Sequence, residues 1–90
     1  MVTIAELEFD DYNLEELARH GVRPREVLQL LDNPFTVRRN RKHRSGQRQL
    51  IGTTHGGRVL TIILVETSVP DRWRPVTGWD STPAERRVLR

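Results

Sequence analysis

Hydrophobic spacing along this chain changes period several times, and each change predicts an element. Over residues 2–9, Ile4 and Leu7–Phe9 alternate with polar neighbours closely enough to predict a first strand with a slip or bulge. Asn13 then reads as a helix cap, with Glu16 three residues on, and Leu14, Leu17 and Ala18 form an apolar stripe ended by Gly21. Pro24 opens a second helix, since the first turn of a helix does not need its missing N–H. The expected buried face of this helix is Val27, Leu28, Leu30 and Leu31, and Asn33-Pro34 stops it.

From Phe35 the period is that of strands. Phe35, Val37 and Arg39 share one side of a short strand, and Asn40 to Gly46 is a polar loop. Arg48–Thr54 and Arg58–Glu66 flank His55-Gly56-Gly57, a hairpin signal because glycine tolerates positive φ. Val59–Val65 is apolar at nearly every position and predicts a central strand covered on both faces. Trp73–Trp79 is a last strand, with Pro75 marking an edge or bulge. Strict alternation puts Trp73, Pro75, Thr77 and Trp79 on one face of it. Thr82-Pro83-Ala84-Glu85 combines a cap, a first-turn proline and a capping-box glutamate, the clearest helix start in the chain. The expected fold is a single α+β domain over residues 1–90, in the order β-α-α-β-β-β-β-α. A mostly antiparallel sheet of four to five strands carries two N-terminal helices and a C-terminal helix, all packed on one face.

Charge sharpens this picture. The net charge of +3 divides into −5 over residues 1–35 and +8 over residues 36–90, and 14 of the 15 cations are arginine. Arginine forks onto phosphate oxygens and stacks on bases, which lysine does poorly. The densest stretch is Arg38, Arg39, Arg41, Lys42, Arg44 and Arg48, six cations in eleven residues with no acid among them. Such a run binds phosphate backbones by releasing condensed counterions, and a loop can follow single-stranded or folded RNA. With no cysteine, a disulfide framework and thiolate chemistry are excluded. The spacing of His20, His43 and His55 resembles no metal motif, so neither a metal nor another cofactor is expected. The N-terminus lacks the charge and apolar run of a signal peptide, and Ile62–Val65 is too short to span a bilayer, so the expected location is the cytoplasm without membrane association.

Histidine moves protons near neutrality, which places His20 and His43 among the candidates for metal-free RNA cleavage. His20, in the last turn of the first helix, also suits the helix dipole, and His55 reads as a solvated turn residue. Trp79 either stacks on a base or covers the edge of a small core.

The linear order of several short motifs resembles the BrnT family of bacterial toxins. They are Arg19-His20-Gly21-Val22, Leu31-Asp32-Asn33-Pro34, Gln49-Leu50-Ile51-Gly52, Gly57-Arg58-Val59-Leu60 and Arg74-Pro75-Val76-Thr77-Gly78-Trp79, the last running on to Thr82-Pro83-Ala84-Glu85-Arg86-Arg87. The resemblance implies a RelE-like fold, metal-independent endoribonuclease activity, and a cognate DNA-binding antitoxin that holds the toxin inactive in a heteromeric complex. It assigns His20, Arg58, Arg74 and Thr77 to the catalytic set, beside His43. Thr67-Ser68 stands where the family has a Glu-Arg pair, and Trp79 where it has arginine. A non-catalytic RNA- or partner-binding module on the same fold is the alternative expectation.

Overall fold

The computed structural model describes residues 2–40 and 46–89. Helix α1, Asp11–Arg19, begins three residues earlier than the Asn13 cap predicts. Asp10 is the cap: its Oδ1 accepts the Asn13 N–H at 2.9 Å, and Asn13 Oδ1 accepts the Asp10 N–H at 2.8 Å. Asn13 also donates to the Glu8 carbonyl at 2.9 Å, so its buried amide is fully engaged. Gly21, at φ 68°, turns the chain into α2, Pro24–Leu30, where Glu26 accepts the Arg23 N–H at 3.1 Å. Val27 and Leu30 are buried as expected, whereas Leu28 is 48% exposed, because only one stripe of this two-turn helix meets the sheet.

Five strands follow the order β1-β5-β4-β3-β2. They are β1 (Glu6–Leu7), β2 (Phe35–Arg39), β3 (Gln47–Thr53), β4 (Val59–Glu66) and β5 (Arg72–Asp80). All pairs are antiparallel except β1 with β5. The α+β class and the element order are those the sequence predicts. Leu60 to Leu64 of the middle strand β4 are all buried.

On one face α1 and α2 enclose Leu17, Val22, Val27, Leu30, Leu50, Leu60, Ile62, Leu64 and Trp73. Full burial of each such side chain contributes roughly 1.5–3 kcal/mol. The C-terminal elements, α3 (Pro83–Arg86) and a 3-10 turn (Arg87–Leu89), do not join them, which corrects the expectation of one helical face. Thr61, between Leu60 and Ile62, points to the opposite face and donates to Glu85 Oε1 at 3.0 Å. Thr36 likewise donates to the Val88 carbonyl at 3.2 Å.

Strand β5 carries the irregularity that Pro75 announces. Ile63 pairs with Thr77 but Leu64 pairs with Pro75, so Val76 is an extra residue. The bulge breaks strict alternation: Trp73 and Pro75 face α1 and α2, Trp79 lies on the other face with Thr61, and Thr77, in register with Ile63, bonds back to Glu16 of α1. Gly78 keeps α1 close. A Cβ there would overlap Ile62 Cδ1 and lie 3.0 Å from the Thr61 carbonyl oxygen.

Candidate nucleic-acid interface

Arginine pairing differs between the two edges of the sheet. At the β1 edge, Arg72 approaches Glu8 at 3.3 Å and Glu6 at 3.9 Å, and Arg74 lies on Asp10 at 2.5 Å and 3.7 Å from Glu8. Three carboxylates there outnumber two guanidiniums. Asp10 is held below the usual carboxylate range, by the Asn13 N–H first and, against the cost of burial, by Arg74. At the other end of the sheet, Arg38, Arg39 and Arg48 contact no carboxylate among the described residues. Arg38 Nε instead donates to Gln49 Oε1 at 2.7 Å, and Arg48 Nη1 to the Gln47 carbonyl at 3.1 Å. Arg41, Lys42, His43 and Arg44 lie outside the described residues.

Strand register places these groups. Backbone register aligns Arg38, Gln49, Ile63 and Thr77 across β2, β3, β4 and β5; the first three face away from α1 and α2, while the Thr77 hydroxyl bonds to Glu16 of α1. Gln47, Val65 and Arg74 form the next row. Apart from buried Ile63, every member of the two rows is at least partly open to solvent. Three strand spacings separate Arg38 from Thr77, roughly 14 Å. The rows make a polar strip, cationic at β2 and acidic beyond β5. Arg39 and Arg48 also pair in register, but on the opposite face.

Two of the predicted catalytic residues, His20 and Thr77, gather at the C-terminal end of α1. Thr77 Oγ1 donates to Glu16 Oε2 at 2.9 Å, and His20 Nε2 lies 3.3 Å from the same oxygen. Glu16 Oε1 accepts from Arg19 at 3.2 Å. Its carboxyl is held below the usual range, by Thr77 first, against a desolvation cost, and then by His20 and Arg19. His20 Nε2 is turned to Glu16, and 43% of the His20 side chain is exposed.

Arg58 stands beside this cluster as a brace. Its Nε and Nη2 donate to Asp80 at 2.8 and 3.2 Å, and its Nη1 to the Gly21 carbonyl at 2.8 Å and to Glu26 at 3.0 Å. These bonds tie β4 to the α1–α2 turn, α2 and the end of β5. Asp80 and Glu26 together raise the Arg58 pKa further, and Arg58 in turn lowers that of Asp80. Arg74 braces the α1 cap in the same way, and about a helix length, roughly 14 Å, separates it from His20.

Trp79 covers an edge. Its Nε1 donates to Glu85 Oε1 at 3.1 Å, the oxygen that also accepts from Thr61 and from the Thr82 N–H. Burial pushes the Glu85 carboxyl up, but the Thr82 amide, Trp79 and Thr61 outweigh it, so the net shift is downward. His55 is an exposed turn residue 3.4 Å from Asp32.

Sequence reasoning missed Glu16, Glu85 and Gln49 as site residues. Glu16 one helical turn before His20 was a readable signal. The sheet registers that bring Thr77 and Arg38 into one row were not readable. No protein-family model matches this chain, and no curated protein matches it. Among the described residues, no three His, Cys, Asp or Glu side chains are grouped to hold a metal ion, and no helix is long and apolar enough to cross a membrane.

Proposed function

We propose that this protein binds RNA on the β2–β3 half of its sheet and acts as a BrnT-like toxin. In this reading it is a metal-independent endoribonuclease of the cytoplasm, neutralised by a cognate DNA-binding antitoxin in a heteromeric complex. The observation that carries it is the partition of the arginines. Arg58, Arg72 and Arg74 are answered by carboxylates, while Arg38, Arg39 and Arg48 meet none among the described residues. Cations kept free of acids across two strands leave their charge for a polyanion. Arg38 would hold a phosphate at one end of the strip. At the other, His20, oriented by Glu16, would take the 2′-hydroxyl proton while Thr77 fixes that carboxylate. The attacking 2′-oxygen forms a bond to phosphorus as the bond to the 5′-oxygen breaks, leaving a 2′,3′-cyclic phosphate and a 5′-hydroxyl protonated from water.

A second reading, a non-catalytic RNA-binding module, is favoured by the neutralisation of Arg58 and Arg74. With both guanidiniums held by carboxylates, the strip has less charge to set against a developing phosphorane. Incubating labelled single-stranded RNA with the purified protein in EDTA separates the two. Cleavage lost in His20→Ala, with RNA binding retained, supports the ribonuclease. Binding without cleavage in the wild type leaves the binding module, and absence of both removes the RNA reading altogether.

A further inference from the structure

On the face that carries α1 and α2, β2 is an edge strand beside β3. There a cleft of about 510 Å³ is lined by Val2, Phe35, Val37, Arg38, Arg39 and Arg48. Its size falls within the range of small-ligand sites, roughly 300–1,000 Å³. Two features of it have no structural explanation in the fold. Phe35 is 41% exposed although it lies on the helix-bearing face, in register with buried Gly52. Arg39 and Arg48 stand directly opposite each other on neighbouring strands, an arrangement in which like charges repel. Neither meets a carboxylate among the described residues, and the next side chain in their row is Leu64.

A ligand that relieves both features brings an anion to the arginine pair and an apolar flat surface to Val37 and Phe35. Guanidiniums fork onto phosphate oxygens, and bases stack on aromatic rings. A nucleotide carries both groups within one residue. Val37 lies two residues along β2 from Arg39, roughly 7 Å, which places apolar floor beside the cations. Arg38 borders this cleft and also heads the strip on the opposite face through its bond to Gln49. A strand rounding the open edge of β2 therefore meets both.

We propose that this cleft seats one unstacked nucleotide of a single-stranded RNA, its phosphate between Arg39 and Arg48 and its base against Val37 and Phe35. The inference rests on the RNA reading above and adds a base-holding subsite to it. The subsite makes the protein select unpaired RNA, because a base inside a duplex cannot reach Phe35.

The test is calorimetric titration of the full chain with adenosine 5′-monophosphate, adenosine, inorganic phosphate and an acidic–apolar peptide, alongside single-stranded and duplex RNA. The expected result is binding of the monophosphate in preference to nucleoside or phosphate alone. Phe35→Ala should weaken monophosphate binding about fivefold or more, with Phe35→Tyr restoring it. Arg39→Gln and Arg48→Gln should each weaken it also. Circular dichroism of each variant shows whether the fold is kept. RNA binding that is equal for single strands and duplex, and unchanged in Phe35→Ala, would overturn the subsite while leaving the RNA reading intact. Preference for the peptide over the monophosphate would overturn it in favour of a protein partner. Failure of every RNA and nucleotide to bind would remove both readings.

Discussion

Trp79 donates its indole N–H to Glu85 at 3.1 Å, joining the last strand to the helix that follows it. The bond makes Trp79 an anchor for the C-terminal segment. Glu85 serves Thr61, Trp79 and the Thr82 N–H together through one carboxylate oxygen, so the anchor closes a largely buried polar network.

Replacing Trp79 by arginine is therefore expected to destabilise the fold by about 2–4 kcal/mol, from lost packing and the lost indole bond to Glu85. It should not raise RNA cleavage. Urea denaturation followed by circular dichroism reads the first outcome, and the labelled-RNA assay the second. A variant as stable as the wild type that cleaves faster would show that a guanidinium is missing there.

Two carboxylates, Glu85 and Asp80, set an acid limit on stability. The folded-state pKa values of Glu85 and Asp80 are both lowered. Groups of this kind contribute fully above their unfolded pKa, and the contribution is lost as pH falls through the folded value. The unfolding free energy should therefore begin to fall as pH drops through the ordinary carboxylate range, about 4, and go on falling below it. Glu85→Gln should flatten that dependence. An equally steep acid loss in Glu85→Gln would locate the responsible carboxylate elsewhere.

Much of the fold could be read in the sequence because its signals were local. Thr82-Pro83-Ala84-Glu85 forms the predicted capping box, and Gly57, at φ 88°, makes the turn into β4. The first helix was misplaced because Asp10 and Asn13 are both good caps, and only the Asn13 bond to Glu8 decides between them. The bulge at Val76 depends on pairing with Ile63 and Leu64, a register no local pattern carries. Site reading ran out for the same reason. Arg58 and Arg74 look free in a basic stretch, yet their carboxylates come from Glu26, Asp80 and Asp10, up to 64 residues away.

Gly78 couples packing to the candidate chemistry. Gly78→Ala should cost about 1–3 kcal/mol, since the new methyl meets Ile62 and the Thr61 carbonyl. The displaced strand should carry Thr77 away from Glu16 and reduce any His20-dependent cleavage. Thermal unfolding and the RNA assay read the two effects. Full stability in Gly78→Ala would mean that α1 and β5 have more room than their contact allows.

The salt dependence of single-stranded RNA binding tests the partition of the arginines most directly. Fluorescence anisotropy across a salt series should give a linear log–log plot for the wild type. Replacing Arg38, Arg39 and Arg48 together by alanine should weaken binding and reduce the slope by about 2, at roughly 0.7 per phosphate contact. Arg58→Ala should lower stability by about 1–2 kcal/mol, after allowance for solvent screening, and leave the slope unchanged. An unchanged slope in the triple variant, or a reduced slope in Arg58→Ala, would contradict the assignment of the β2–β3 arginines to RNA and of Arg58 to the fold.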